Sequence, residues 1–199
     1  MIGRALLVLM VGMPLLGLHT LRPAAAKPPA PPPGEVGQPG RPGWSVAADS
    51  GCWVWNDDPK PDEVLVFTGP CSQGPVEGAG QGEWRWTAEG RNMVQRFGGS
   101  FRDGRNDGPG FYEFGDGERY TGDFRAGAFH GEGAIVWSDG TRFEGQWRDD
   151  LPDGPGVYTS PDATVRGVWR AGCLFDGGTL LLAVARDRAE CETLAPPPR

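Results

Sequence analysis

The sequence predicts an all-β protein: an elongated single-layer sheet of tandem β-hairpins with disulfide-bearing ends. Three observations carry this. The segment FGGSFR at 97–102 recurs as YTGDFR at 120–125 and FEGQWR at 143–148, so aromatic-x-Gly-x-aromatic-Arg returns every 23 residues. Glycine supplies 33 of 199 residues without a collagen-like period, which suits short strands joined by tight turns. Four cysteines, Cys52, Cys71, Cys173 and Cys191, bracket the repeats in two pairs.

The chain opens on an apolar run. Arg4 precedes ALLVLMVGMPLLGL at 5–18, and Ala24-Ala25-Ala26 offers small residues before Lys27, which predicts a signal peptide over 1–26 cleaved near Ala26. The run is shorter than the roughly 20 residues that a membrane-spanning helix needs, and Pro14 and Gly17 interrupt it. The location expected is therefore secreted or periplasmic, and the residue usage suits a bacterium. Removing 1–26 deletes Arg4 and Arg22 and no acid, leaving 17 cations against 26 anions, a formal charge of −9. That balance excludes a nucleic-acid partner, whose binding is led by basic patches.

Residues 27–43 (KPPAPPPGEVGQPGRPG) cannot bury a core and predict an extended, solvated, disordered linker. The folded region is expected over 44–194, with 195–199 a disordered tail. Within it, Gly99, Gly122, Gly145 and Gly167 follow one another at 23, 23 and 22 residues, which sets copies at 97–119, 120–142 and 143–164 and a half copy at 165–177. A degenerate copy at 67–96 keeps Phe67, Gly69, Gly78, Gly80 and Trp84. It has Cys71 in place of the second aromatic and an insertion near TAEGRNMVQR.

In the middle copy Arg119 to Arg125 alternates as a strand does, Ala126 to Gly131 holds turn residues, and Gly133 to Ser138 is a second strand. Asp139-Gly140 and Asp116-Gly117 are hairpin dipeptides. Side chains alternate faces along a strand, so Tyr120, Gly122 and Phe124 share one, and the glycine leaves a slot into which a ring can lean. A lone hairpin is marginal, so each copy depends on its neighbours. The ends of such a sheet are exposed edges; the cysteine-bearing segments are expected to cap them, with 178–194 forming a strand and a short helical turn. An even cysteine count behind a signal peptide predicts disulfides, and locality favours Cys52–Cys71 and Cys173–Cys191.

The skeleton resembles the MORN repeat (membrane occupation and recognition nexus), roughly YxGxWxxGxxxGxGxxxxxxGxx. Tyr120, Gly122, Phe124, Gly127, Gly131, Gly133, Trp137 and Gly140 fit it; the next copy has Asp150 and Ala163 where glycines are expected. The resemblance covers about 67–172. It implies a sheet of hairpins used as scaffold or contact surface, with links to membranes, lipid head groups and protein assembly, and no activity of its own.

Two rows of side chains are candidate binding surfaces. The aromatic row holds Phe97, Phe101, Tyr120, Phe124, Trp137, Phe143, Trp147 and Trp169, either stacked to hold the sheet or open as a groove for a glycan, peptide or helix. The arginine row, Arg102, Arg125, Arg148 and Arg170, lies on the opposite face. It is either solvated beside Asp103, Asp123 and Asp149 or a grip for anionic head groups. The negative charge and expected location count against a lipid partner.

No catalytic pattern emerges: there is no GxSxG, HExxH, phosphate loop or Cys/His couple. His130 takes the position of Asp107 and Asp153 in the flanking copies, as a turn former would. No cysteine has CxxC spacing, and the Asp-Gly turns lack calcium-loop spacing, so neither metal nor cofactor is expected. The function expected is a non-enzymatic scaffold for a protein or cell-envelope component. The alternative is a carbohydrate- or envelope-polymer-binding module using the aromatic face. An enzyme would have to place its residues in the caps, near 52–62 or 174–192. Partner and oligomeric state stay open.

Overall fold

The computed structural model describes residues 31, 34–71, 74–176 and 178–194. The expected signal peptide and the C-terminal tail lie outside them. Among the described residues, no helix is long and apolar enough to cross a membrane.

An open antiparallel sheet of 11 strands runs in strict sequence order. It comprises β3 (Val64–Thr68), β4 (Gly78–Ala88), β5 (Arg91–Arg102), β6 (Arg105–Glu113), β7 (Arg119–Arg125), β8 (Ala128–Val136), β9 (Arg142–Arg148), β10 (Leu151–Thr159), β11 (Thr164–Arg170), β12 (Cys173–Asp176) and β13 (Thr179–Ala183). A helical turn, α1 (Arg188–Thr193), follows. Ahead of the sheet, β1 (Gly43–Val46) and β2 (Trp53–Asn56) form a separate pair.

The motif explains each hairpin. The turns at Asp103-Gly104, Ala126-Gly127, Asp149-Asp150 and Ala171-Gly172 hold both residues at positive φ, the two-residue turn whose twist matches paired strands. The second strand therefore starts earlier than the sequence suggested: β8 begins at Ala128, within the expected turn. The paired glycines are not a turn but a bulge inside that strand. Registry slips by two residues at Gly99/Phe101, Gly122/Asp123 and Pro152/Gly156. The first glycine of each pair, Gly108, Gly131 or Gly154, absorbs the bulge at positive φ. The second, Gly110, Gly133 or Gly156, re-enters the ladder.

That second glycine belongs to a continuous row. Gly80, Gly99, Gly110, Gly122, Gly133, Gly145, Gly156 and Gly167 stand opposite one another across β4 to β11. Rings occupy the space where side chains would be: Phe67 lies over Gly80, Tyr120 over Gly122 and Gly133, and Phe143 over Gly145 and Gly156. The second aromatic of a copy then stands edge-on to ring one of its own copy and of the copy before. Trp147 packs on Phe143 at 5.2 Å and on Tyr120 at 5.6 Å; Phe101 packs on Phe97 at 5.9 Å and on Phe67 at 5.4 Å; Trp169 packs on Phe143 at 5.2 Å. Each buried ring contributes roughly 1.5–3 kcal/mol, and each edge-on pair roughly 0.5–1.5 more.

Among the described residues, the step from Phe97 to Phe124 shows no such ring contact. The core divides there into two clusters, with Tyr112 packed against both.

Both ends are tied as the sequence expected. Cys52–Cys71 and Cys173–Cys191 are disulfides. The first fixes the segment that covers β3, where Ala48 N–H donates to the Leu65 carbonyl at 2.9 Å. The second fixes α1 beside β12. The described part of the Pro/Gly-rich stretch differs from an extended linker. Gly37 N–H donates to the Trp44 carbonyl and Trp44 N–H to that of Glu35, a turn that folds back on β1 while most of its side chains stay in solvent.

Candidate functional site

The predicted rings do not form an open groove. Tyr120, Phe124, Phe143 and Trp147 are between 0 and 4% exposed, because each fills the glycine slot or the space beside a neighbouring ring. Tyr120 is also held by a hydrogen bond from its hydroxyl to the Asp123 carbonyl at 2.9 Å, and Phe129 stacks on it at 3.7 Å. Trp137 is half-buried at the Asp-Gly turn, tilted against Tyr158 at 6.3 Å. Tyr120, Phe143 and Trp147 belong to the core and form no open groove; Phe124 is buried too but also lines a cleft.

The arginine row does project from the other face. Arg102, Arg125 and Arg148 are exposed. Arg102 pairs with Asp107 at 3.3 Å rather than with Asp103, and Arg125 pairs with Asp149 of the next copy at 3.2 Å. Exposed pairs of this kind contribute little, about 0–1 kcal/mol. His130, Asp107 and Asp153 all fall at the bulge. His130 Nδ1 lies 3.8 Å from Asp149 and has no hydrogen-bond partner among the described residues.

A cleft of about 550 Å³ opens instead at the seam between the two core clusters. Its walls come from three departures from the repeat. The first is the insertion in the degenerate copy. Gly80 and Gly99 face each other 19 residues apart, against 12 for Gly110 and Gly122, so the β4–β5 hairpin reaches farther and carries Trp86, Met93 and Gln95 to the cleft.

The second is the β1–β2 pair. It is docked by backbone hydrogen bonds, Trp55 N–H to the Gly104 carbonyl at 2.9 Å and Val76 N–H to that of Trp53 at 3.0 Å. Trp44 fills the space over Gly104. This brings Trp55, Asp57, Asp58 and Lys60 to the opposite wall.

The third is Asp150, which takes the turn position that Gly104, Gly127 and Gly172 hold in the other copies, at φ 67°. Its carboxylate accepts the Phe129 N–H at 2.7 Å and lines the cleft.

Tyr112, Phe114, Phe124 and Phe129 make the floor and far side. Gln95 donates to the Tyr112 hydroxyl. Partial burial pushes the Asp150 carboxyl above the usual carboxylate range; the Phe129 bond opposes this and the Asp57 and Asp149 charges add to it. Burial likewise pushes the Tyr112 hydroxyl up, against the Gln95 bond and with the charges of Asp57, Glu63 and Asp58. The Arg105 guanidinium lies over the Trp55 ring, 3.9 Å from its centroid. Two buried donors at the cleft, Trp84 Nε1 and Asn106 Nδ2, have no hydrogen-bond partner among the described residues.

Of the rings and arginines read from sequence as binding surfaces, only Phe124 reaches this cleft; the 52–62 segment, named only as a place for an enzyme's residues, supplies Trp55, Asn56, Asp57, Asp58 and Lys60. The signals for the rest were present as exceptions: the insertion near TAEGRNMVQR, and an aspartate in a glycine's place. Among the described residues, no cluster of metal-ligating side chains is found.

Residues 99–119, 120–142 and 143–165 each match the family model of the MORN repeat. No curated protein matches the chain. Residues 99–165 are therefore three consecutive MORN repeats, a repeat that usually builds binding scaffolds and is generally non-catalytic.

Proposed function

We propose that the protein is a non-enzymatic scaffold presenting an elongated surface to a protein partner or cell-envelope component, acting in the periplasm or after secretion once its leader is cleaved near Ala26. The observation that carries this reading is convergence. The regular repeats spend their rings on the core, while the inserted hairpin, the β1–β2 pair and Asp150 all meet at one cleft. A scaffold built from generic units needs one surface of its own, and this is where the chain supplies it.

The test compares two kinds of variant in a pull-down from the native envelope fraction. Tyr120→Ala and Trp147→Ala lower thermal stability and partner capture together, because they unmake the sheet. Trp86→Ala lowers the melting temperature less than the core variants do and loses capture while folded. Core variants that stay fully stable while losing capture alone would defeat the scaffold reading. The carbohydrate alternative draws support from the half-buried faces of Trp55 and Trp86 at the cleft. It predicts capture by an envelope polysaccharide that is free of protein.

A further inference from the structure

We infer that the cleft receives a basic side chain, arginine or lysine, from a protein partner. This rests on the scaffold reading and names the chemistry of the contact. Shape comes first: about 550 Å³ walled by Trp55, Trp86, Tyr112 and Phe129 takes an alkyl stem and offers ring faces to a cation. Arg105 on Trp55, at 3.9 Å, shows a guanidinium seated at this wall.

The hydrogen-bonding inventory then chooses between ligand classes. Four carboxylates line the cleft, Asp57, Asp58, Asp116 and Asp150, against two cations. Lys60 is bridged to Asp58, and Arg105 is held on Trp55. Each ionised carboxylate only accepts, and Asp57 and Asp150 have lone pairs beyond the single bonds they take from Trp55 Nε1–H and Phe129 N–H. Both line the same cleft, and the Asp57 charge adds to the rise of the Asp150 carboxyl.

Among the described residues two neutral donors at the cleft stand unpartnered, Trp84 Nε1 and Asn106 Nδ2, against four carboxylates, because Asn56 is committed to Glu63 and Gln95 to Tyr112. A sugar needs both donors and acceptors from its site; an ammonium or guanidinium needs acceptors and rings. Asn106, 9% exposed and with its amide nitrogen unpartnered, adds an independent sign of a peptide, whose backbone carbonyl is an acceptor for it.

Titration calorimetry on the full chain tests this with hexaarginine and hexalysine as probes, acetylated hexalysine as the uncharged control and hexa-N-acetylglucosamine as the sugar arm. Both cationic peptides are expected to bind and the acetylated one not to. Asp57→Asn with Asp150→Asn weakens hexaarginine about 10- to 100-fold, and Trp86→Ala about tenfold. The aspartate variants keep the wild-type melting profile, and Trp86→Ala stays folded at the assay temperature. Glu144→Gln, on the opposite face, leaves affinity unchanged.

An equal loss in Glu144→Gln would reduce the effect to general attraction by an acidic protein and overturn the proposal. Binding of the sugar without the peptides, or of nothing, would overturn it too. Neither result touches the scaffold reading, which stands or falls on the core variants.

Discussion

In the middle repeat, Tyr120 lies over Gly122 and Gly133 with Phe124 and Trp147 around it, and almost none of that apolar surface meets water; Phe129, stacked on Tyr120, is half-buried. In the degenerate copy, the same unit is stretched by seven residues, and its extra ring, Trp86, packs against the edge of the core without being buried in it. Trp86 and Met93 are half-buried on a hairpin that overhangs the sheet. One region follows the motif and is closed; the other departs from it and is open. In a repeat array the motif residues hold neighbours together, so the residues free to recognise something are those the motif does not dictate.

The sharpest way to break this comparison is to remove one ring from each region. Phe143→Ala deletes a fully buried ring that packs on Trp147 and Trp169 over two glycines, and should cost about 3–5 kcal/mol in denaturant unfolding. Trp86→Ala should cost less, about 1–2 kcal/mol, because its ring packs on the edge of the core cluster and stays partly exposed. Similar losses at the two sites would erase the distinction.

The disulfides sharpen it next. Cys52–Cys71 spans 19 residues and Cys173–Cys191 spans 18, so loop closure predicts about 3 kcal/mol for replacing either pair by alanine. The two should then part in function. Cys52 immediately precedes β2, which carries Trp55 and leads to Asp57, so losing that bridge should also abolish cleft binding. Losing the C-terminal bridge should leave binding intact in the folded fraction. A C-terminal variant that folds but does not bind would place the contact elsewhere on the sheet.

A smaller effect tests the glycine row. A methyl added at Gly145 would stand 2.5 Å from both the Gly156 Cα and the Pro155 carbonyl oxygen, and both are backbone. Gly145→Ala should therefore destabilise by about 2 kcal/mol, read as a shift in the unfolding midpoint at unchanged slope. An unchanged midpoint would mean that the row is not a close-packed seam.

The hairpin array, its ring face and its disulfide ends were legible because they follow from period, alternation and parity of the cysteines. The bulge was not. The paired glycines of Gly131 and Gly133 carry the same residue type for two purposes, positive φ at the first and close approach of strands at the second, and composition cannot separate them. The cleft was not legible either. Its walls join residues from Trp55 to Asp150, far apart in the chain, and only the docking of β1–β2 on the Gly104 turn brings them together. Conversely, the rings that looked most available, Tyr120 and Trp147, were hidden by their own periodicity: a side chain that recurs in every copy has a counterpart in the next copy to pack against.

The smallest expected stability change is at Asp150, where the two regions meet. Restoring the motif with Asp150→Gly removes a non-glycine residue from φ 67°, worth about 1–2 kcal/mol. It also removes the acceptor of the Phe129 N–H, worth about 0.5–1.5 kcal/mol. The two nearly offset, so the variant should lie within about 1 kcal/mol of the wild type at neutral pH. Acid separates them. The Asp150 carboxyl titrates above its ordinary value of 3.8 in the fold, so its contribution to stability is complete below that value and fades as pH rises through the raised one. Relative to wild type, Asp150→Gly should therefore look worse in acid and gain towards neutrality. Cation binding needs the ionised carboxylate, so wild-type affinity for hexalysine should fall as pH drops through the raised value, and the glycine variant should bind weakly throughout. A variant with unchanged stability and unchanged affinity would show that Asp150 is a tolerated lapse in the motif and not a residue kept for the cleft.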